Sequence, residues 1–177
     1  GCGPAGRKAE KGMNGRKTIG IIGGGQLGRM SAEAARPMGI RTVCLDPAPD
    51  APAGAVCDEH IVGRFDDAAA VEELCRRSDA VTYEFENVPG KILIPLCGKY
   101  NIPQGYKPLY DSQDRLREKT NAREHGLTTP RFAAVDDERS LRDAVDGIGL
   151  PAVLKTRPLG YDGHGTLGLP TEAEPGR

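Results

Sequence analysis

A glycine-rich segment lies near the start of the chain, between an apolar run and a stretch with helical character. Residues 23–28 read GGGQLG and satisfy the pattern G-x-G-x-x-G. Glycine at such a turn lets an anion approach the first amides of the helix, because no side chain blocks the way. Asp46 ends the next apolar run, at the ~20-residue offset expected of an acid that binds a ribose hydroxyl. The segment favours a turn that binds an anion; a dinucleotide-binding fold and an unliganded tight turn are both open interpretations.

Two glutamates follow another apolar run, in the sequence YEFEN at 83–87. Side chains alternate across a strand, so Glu84 and Glu86 would share one face. Two neighbouring carboxylates repel each other unless a donor-rich ligand or a cation lies between them. Sugar hydroxyls or an amine could be that ligand, and the alternative is a strand end exposed to solvent.

A lysine and a glycine-rich turn follow one another towards the end of the chain. Lys155 lies at the end of an apolar run, and the turn spans residues 160–165. Lysine offers a compact positive charge for phosphate oxygens, and glycine amides can form a concave anion seat. Because the lysine precedes the glycines, this is not a Walker A loop. The pattern favours phosphate binding over a plain hairpin turn with an exposed lysine.

Other charged residues are less informative. The segment 113–119 is typical of an exposed helix face, with Arg115 and Lys119 stacked at i, i+4, and the pattern alone does not select Arg115. His60 is interpreted as a strand residue and His125 as a favourable charge at a helix C-terminus. His164, inside the glycine turn, remains a candidate.

The elements that must position these residues alternate between strands and helices. The predicted strands are 18–22, 41–46, 59–62 and 80–85, and the predicted helices are 26–38, a segment capped by Asp66 that runs through Cys75, and 89–100. Alternation at this spacing predicts an α/β fold, a Rossmann-like domain with a parallel sheet and right-handed crossovers. Ligands of such sheets bind at the carboxyl ends of the strands.

The alternation changes near residues 106–111, where a second domain is predicted to begin. It is predicted to contain a helix at 112–125 ended by Gly126, a strand at 131–135, a helix with Leu141, Val145 and Ile148 on one face, and a strand at 152–156. The tail from Leu169 to Arg177 contains no apolar pattern of the kind expected in a buried core. We expect a leader at 1–16, a first domain at 17–110 and an incomplete second domain at 111–177.

Composition narrows the function classes. The 177 residues carry a net charge of −1 without a strong block of like charges, so nothing favours a nucleic-acid groove or a membrane surface. No apolar run approaches membrane-spanning length, and a cytoplasmic location is the default expectation. The five cysteines show neither a CxxC pair nor metal-ligand spacing, which favours reduced packing residues.

Taken in order, the motifs resemble those of the 5-(carboxyamino)imidazole ribonucleotide synthetases, a family of the ATP-grasp superfamily. The similar segments are IIGGGQLGRM, LDP, YEFENVP, QDRLREK, GLTTPRF and VLKTRPLGYDGHG, which together cover residues 17–165. YEFEN combined with GYDG is the most specific of these signals. The resemblance implies a Rossmann-like N-terminal domain followed by the beginning of an ATP-grasp domain. The implied reaction joins bicarbonate to the exocyclic amine of 5-aminoimidazole ribonucleotide with consumption of ATP, through carboxyphosphate.

The resemblance also implies residue roles. ATP phosphates would be bound by Arg115, Lys155, Gly160, Tyr161, Asp162, Gly163, His164, Gly165 and Thr166. The ribonucleotide would be contacted by Gly25, Gln26, Leu27 and Glu84, with Glu86 as a secondary candidate. His164 departs from the lysine or arginine that is usual in the family, which weakens the fixed positive charge of the loop near neutral pH. The ligands of Mg²⁺ and the adenine-contacting segment are expected beyond Arg177, so no metal ligand is assigned within the chain, and the parent enzyme is expected to be a homodimer.

Three alternatives stay open at this point. A sister ATP-grasp enzyme, either a formate-dependent glycinamide ribonucleotide formyltransferase or a biotin-type carboxylase, would share the fold but not YEFEN with GYDG. An NAD-binding Rossmann oxidoreductase domain would use the glycine turn and Asp46, and would leave Lys155 without a role. An inactive ATP-grasp fragment is the third.

Overall fold

The structure is a computed structural model that describes residues 15–84, 87–157 and 165–171. The chain forms two compact units, with the division between Tyr110 and Asp111. The strands are β1 Thr18–Ile22, β2 Arg41–Asp46, β3 Glu59–Val62, β4 Ala80–Tyr83, β5 Ala152–Lys155 and β6 Thr166–Leu169. The helices are α1 Gln26–Ala35, α2 Ala68–Arg76, α3 Gly90–Cys97, α4 Lys107–Ser112, α5 Arg115–Glu124 and α6 Glu138–Ile148, and a 3-10 turn, Arg36–Met38, extends α1.

The first unit is built on a parallel four-stranded sheet in the order β3-β2-β1-β4. β1 and β2 are nearly continuous apolar runs because both faces of the central strands are covered. Ile22, the last residue of β1, pairs with Leu45 on one side and Tyr83 on the other. The carboxyl ends of three strands therefore meet at one edge, and the predicted Rossmann-like α/β fold is confirmed.

Two hydrophobic layers cover this sheet. One face packs Leu45, Val81 and the apolar sides of α2 and α3 into the larger core cluster. Full burial of a leucine side chain contributes about 1.5–3 kcal/mol, so this cluster dominates the stability of the unit. The other face packs Ile21 and Cys44 against two small residues, Ala32 of α1 and Ala53 of the loop after β2. Small residues let α1 approach the sheet closely.

Two helix boundaries differ from the prediction. The cap of α2 is Asp67, whose carboxylate accepts hydrogen bonds from the N–H groups of Ala69 and Ala70, and not Asp66. Asp66 instead forms a two-point ion pair with Arg64. α3 spans Gly90–Cys97 and is shorter than the predicted 89–100.

The second unit departs further from the sequence prediction. The helix predicted at 112–125 is present as α5, but it starts three residues later than expected, after its cap Asp114, and a separate short helix, α4, ends at Ser112. Gly126 does follow α5 with a left-handed φ of 79°, as expected of a helix terminator. The strand predicted at 131–135 is wrong. Arg131 donates to the carbonyl oxygens of Gly147 and Ile148, and its segment pairs with no strand in the part of the chain described.

β5 and β6 form an antiparallel pair in the second unit. The sequence prediction missed β6, because TLGL is short and flanked by glycine and proline. Leu169 therefore ends a strand, although the prediction placed it in a tail without core signal. No described residue of this unit is fully buried.

Candidate functional site

The glycine turn closes the gap between β1 and α1 in a backbone conformation that only glycine adopts easily. Gly23 has a φ of 112°, and its N–H donates to the carbonyl oxygen of Leu45 at 3.0 Å. A Cβ at this position would also lie 2.7 Å from Oε1 of Glu84. The turn therefore brings backbone amides and the Glu84 carboxylate together at the ligand edge of the sheet.

Gly28 is the second position where the turn needs glycine. A Cβ there would overlap the carbonyl oxygen of Gly23, which is backbone and cannot rotate away. We expect Gly28→Ala to destabilise the chain by about 1–3 kcal/mol, the usual cost of an added methyl group in a packed site. Gly98→Ala is the matched control, since a Cβ there meets open space. Urea unfolding followed by circular dichroism measures both variants, and equal midpoints would contradict the assignment.

Asp46 organises the turn from the end of β2. Its Oδ2 accepts the Gly24 N–H at 2.7 Å, and its Oδ1 accepts the Ala48 N–H at 2.9 Å. The Ala53 N–H donates to the Gly24 carbonyl oxygen at 2.8 Å, so the following loop closes on the same turn. Both carboxylate oxygens of Asp46 thus accept hydrogen bonds from backbone N–H groups. This arrangement favours a structural role for Asp46 over ribose binding, and the dinucleotide interpretation loses its main support.

The start of α1 lies beside Glu84 at this edge. Gly25 is the cap residue and makes no side-chain cap hydrogen bond, and the first turn contains no acidic residue. Gln26 and Leu27 are exposed, and Oε1 of Glu84 is 3.5 Å from a Cβ position built on Gly25. The structure thus brings Gly25, Gln26, Leu27 and Glu84 together. Glu84 follows the last residue of β4, so the strand ends earlier than predicted; Phe85 and Glu86 lie outside the described residues.

This edge offers two kinds of contact side by side. A helix N-terminus presents N–H groups and a partial positive charge, which suit a phosphate or another anion. A carboxylate accepts hydrogen bonds from hydroxyl or amine groups. A ligand that carries both an anionic group and donors matches the pair, as a sugar phosphate does.

The second candidate region is the end of the β5–β6 hairpin. Lys155 is the last residue of β5 and pairs with Thr166, the first residue of β6. The Thr156 N–H donates to the Gly165 carbonyl oxygen at 2.9 Å, and Gly165 has a left-handed φ of 69°. Lys155 is exposed at this end. Five of the predicted residues, Gly160, Tyr161, Asp162, Gly163 and His164, lie outside the described residues.

The start of α5 is attached to the same end of β5. The Arg115 N–H donates to the carbonyl oxygen of Arg157 at 3.1 Å. The Arg157 guanidinium lies 3.4 Å from Oδ2 of Asp114, the residue that caps α5. The structure therefore places Arg115 at the end of the hairpin where Lys155 lies. This connection between Arg115 and the chain beyond Lys155 is not visible in the sequence.

Asp114 fixes the geometry of this connection. Its Oδ1 accepts the N–H groups of Leu116 at 2.9 Å and Arg117 at 3.1 Å. Partial burial opposes ionisation, but these N–H donors and the charges of Arg157 and Arg117 outweigh it and hold the pKa of Asp114 below its ordinary value. Asp114 is consequently a negative charge near neutral pH that caps α5 and pairs with the Arg157 guanidinium.

Removal of this cap should loosen the start of α5. We expect Asp114→Ala to cost about 0.5–2 kcal/mol of local stability, which speeds amide hydrogen exchange at Leu116 and Arg117 roughly two- to thirtyfold. Asp137→Ala, which removes the cap of α6, is the matched control and should leave α5 unchanged. The pKa of Asp114 in the folded chain is lowered. The loss of α5 stability in Asp114→Ala relative to wild type should therefore be fully present above the ordinary Asp pKa of about 3.9, and it should disappear as the pH falls through the lower folded pKa. Unchanged exchange in α5 would show that Asp114 does not stabilise it.

Asp114, Thr156 and Arg157 were not selected by sequence reasoning. Aspartate directly before a charged helix is an N-cap signal, and it could have identified Asp114. No sequence signal pairs Arg157 with Asp114, because 43 positions separate them. Within the described ranges, no group of three or more His, Cys, Asp or Glu is placed to hold a metal ion. Nor does any helix there have the length and apolar character needed to cross a membrane.

Comparisons with known proteins match both units. The ribonucleotide synthetase preATP-grasp domain matches residues 16–105, and the ATP-grasp domain matches residues 120–175. An N5-carboxyaminoimidazole ribonucleotide synthase of Staphylococcus haemolyticus is 46% identical over 150 residues, which are 85% of this chain and 40% of that protein. The chain thus spans about 40% of the length of the curated relatives that it matches.

Solved structures of similar proteins resemble this chain over most of its length. The N5-carboxyaminoimidazole synthetase of Staphylococcus aureus, complexed with ADP, has a TM-score of 0.82 and 44% identity, with 88% of this chain and 42% of that chain covered. The Aspergillus clavatus synthase, in complex with ADP and 5-aminoimidazole ribonucleotide, has a TM-score of 0.74 and 27% identity, with 88% and 41% covered.

Proposed function

The chain belongs to the family of ribonucleotide synthetases that contain a preATP-grasp domain, and from this membership we propose that it is part of an N5-carboxyaminoimidazole ribonucleotide synthase. The resemblance inferred from the sequence motifs is thereby confirmed at the level of the family. The observation that carries the proposal is the continuous match over 150 residues, across both units, to a relative of that name. The activity, substrates and partners given below are proposals for the full-length enzyme, meaning these residues within a chain as long as the relatives.

ATP is the first proposed substrate. Related structures contain ADP or ATP, and the ATP-grasp match includes Lys155 and Thr166. We assign contacts with the ATP phosphates to Arg115, Lys155, Gly160, Tyr161, Asp162, Gly163, His164, Gly165 and Thr166. The support is the position of the Lys155–Thr166 pair at the base of residues 156–165 and the attachment of α5 beside it. Two cationic side chains at one strand end can neutralise triphosphate charge.

The ribonucleotide is the second proposed substrate. A related structure was solved with ADP and 5-aminoimidazole ribonucleotide. We assign contacts with this substrate to Gly25, Gln26, Leu27 and Glu84. Glu86 is a secondary candidate for the same contact. The support is the pairing of an uncapped helix N-terminus with a carboxylate. Such an edge suits a ligand with an anionic group and hydroxyl or amine donors.

The proposed reaction has two steps. Bicarbonate oxygen attacks the γ-phosphorus of ATP, giving carboxyphosphate and ADP; the exocyclic amine then attacks the carboxyl carbon and releases inorganic phosphate, with loss of one amine proton. Phosphoryl transfer needs positioning and charge neutralisation, which Lys155 and Arg115 would supply. Carboxyphosphate hydrolyses in water, so the glycine-rich turn would have to exclude solvent while it forms.

Magnesium and assembly belong to the same proposal. No ligand set for magnesium exists among the residues described here, so no step is assigned to a metal held by them, and we expect its ligands in the remainder of the enzyme. A homodimeric parent and a cytoplasmic location are further predictions from the resemblance.

Substrate dependence of ATP hydrolysis tests the proposed function. The full-length enzyme should release ADP only when 5-aminoimidazole ribonucleotide and bicarbonate are both present, and formate should not replace bicarbonate. These 177 residues alone should show no turnover, because they span about 40% of the relatives' length. ADP release at the same rate without the ribonucleotide would refute the proposal. Activity with formate would favour the sister formyltransferase, and tight NADH binding abolished by Asp46→Ala would favour the oxidoreductase.

A further inference from the structure

Two cysteines of the first unit have no role in the proposed function. Cys44 lies in the middle of β2 and is fully buried, and Cys57 lies in the loop before β3 and is partly exposed. Both belong to the smaller core cluster beneath α1, where Cys57 packs against the group that contains Cys44. Both are free thiols. A partly exposed cysteine thus packs against a cluster that contains a buried cysteine.

Backbone hydrogen bonds hold the loop that carries Cys57 against β2. The Cys57 N–H donates to the Ala53 carbonyl oxygen at 2.8 Å. The next residue, Asp58, donates its N–H to the Thr42 carbonyl oxygen at 3.0 Å and accepts the Thr42 N–H through its carboxylate at 2.8 Å. These contacts fix Cys57 alongside β2, where it packs against the core cluster that contains Cys44.

The surroundings make the two thiols chemically unequal. A hydrogen bond from the Cys44 thiol, helped by one from the Thr42 side chain, outweighs partial burial and lowers the pKa of Cys57 to about 7. The same hydrogen bond, together with burial, raises the pKa of Cys44. The hydrogen bond therefore favours the thiolate at Cys57 over the thiolate at Cys44, and thiolates are the reactive form of cysteine. By contrast, burial raises the pKa of Cys75 to about 12.

We propose that Cys57 is a thiol-modification site that exchanges with small-molecule disulfides, and that Cys44 resolves the adduct into an internal Cys44–Cys57 disulfide. In the first step the Cys57 thiolate attacks a disulfide RSSR, forms a mixed disulfide and releases RS⁻. In the second step the Cys44 thiol gives up its proton and its sulfur attacks Sγ of Cys57, releasing the second RS⁻. The balance is one RSSR reduced to two RSH while two protein thiols are oxidised to one disulfide.

The proposal explains a feature that motif analysis missed. The two residues are 13 positions apart, so they form no CxxC pair, and the loop after β2 folds back to place Cys57 against the cluster that contains Cys44. The same loop reaches the glycine turn through the Ala53–Gly24 hydrogen bond. A disulfide between Cys44 and Cys57 would therefore tie the sheet to the loop that supports this turn. The inference does not depend on the proposed function.

Treatment of the 177-residue chain with glutathione disulfide tests the inference. A Cys2→Ser background removes the cysteine that lies outside the described residues. Intact mass should show loss of two hydrogens per chain, and peptide mapping should find Cys44 linked to Cys57. With Cys44→Ser, which keeps a hydroxyl donor beside Cys57, one glutathione should remain attached to Cys57. Cys57→Ser should abolish both products, and Cys75→Ser, the matched buried control, should behave like the parent.

The rate of the first step provides an independent readout. In Cys44→Ser, modification of Cys57 should exceed that of Cys75 roughly tenfold or more at neutral pH, because the thiolate fraction and accessibility are both larger. In the Cys2→Ser parent, the initial rate of Cys57 modification should rise with a midpoint near pH 7 and level off above it. Circular dichroism checks that each variant is folded. A folded Cys57→Ser chain modified as fast as its parent, or a disulfide that joins any other pair, would overturn the proposal.

Discussion

Replacement of Lys155 by methionine should weaken ATP binding by the full-length enzyme roughly ten- to a hundredfold, because a charge-assisted contact with phosphate oxygens is worth about 1.5–3 kcal/mol. Methionine keeps the length and apolar character of the side chain and removes its charge. Lys155 is exposed at the end of β5, and its pairing with Thr166 is made by backbone. The hairpin should therefore survive the change. Isothermal titration with ATP gives the two dissociation constants directly.

Lys91→Met is the matched control, since Lys91 is an exposed lysine on α3 of the first unit. It should leave the ATP dissociation constant within about twofold of wild type, because it is an exposed charge with no assigned phosphate contact and is screened by salt. A Lys155→Met enzyme with wild-type ATP affinity would show that Lys155 does not touch the nucleotide. Equal losses in the two variants would point to general electrostatics and not to a specific contact.

Replacement of Glu84 by glutamine should lower kcat/KM for the ribonucleotide roughly ten- to a hundredfold and leave ATP affinity unchanged. A hydrogen bond to an ionised carboxylate is worth about 1.5–3 kcal/mol, and most of that is lost with the charge. Glutamine has nearly the same shape, so the close packing of this side chain against Gly23 is kept. Steady-state kinetics with varied ribonucleotide, and titration with ATP, separate the two effects.

Glu33→Gln is the control for this experiment. Glu33 is an exposed residue of α1 that pairs with Arg29, one helical turn earlier. Its loss should change neither substrate constant by more than about twofold, since exposed ion pairs contribute little. Wild-type kinetics in Glu84→Gln would remove Glu84 from the substrate site. Parallel losses for ATP and the ribonucleotide would indicate a folding defect.

Much of the first unit could be predicted from the sequence, because its central strands are buried on both faces. A strand covered on both sides reads as an unbroken apolar run, and the bounds of β1 and β2 agree with the prediction. The bounds of β3, a partly exposed edge strand, agree as well. The second unit was harder to predict. Its strands are short and half-exposed, so 131–135 was wrongly assigned as a strand and β6 was missed.

The candidate site shows the same division between local and long-range signals. Lys155 was selected because its own strand and the following glycines mark it, and the glycine turn was selected for its own pattern. The partnership of Asp114 with Arg157 and that of Cys44 with Cys57 depend on residues 43 and 13 positions apart. The fold of the loop after β2 and the attachment of α5 to the end of β5 bring those side chains together. A ribose-binding role for Asp46 stayed open as an alternative because the sequence does not show that backbone N–H groups occupy both of its oxygens.

Protection of Lys155 from acylation by bound ATP tests the central claim most directly. The full-length enzyme is treated with a limiting acetylating reagent, with and without ATP at ten times its dissociation constant, and peptide masses report the modification of each lysine. ATP should slow acetylation of Lys155 roughly tenfold, in proportion to the fraction of enzyme left free, and should leave Lys91 unchanged. Acetylation of Lys155 at the same rate with and without ATP, in an enzyme shown by titration to be saturated, would contradict the account.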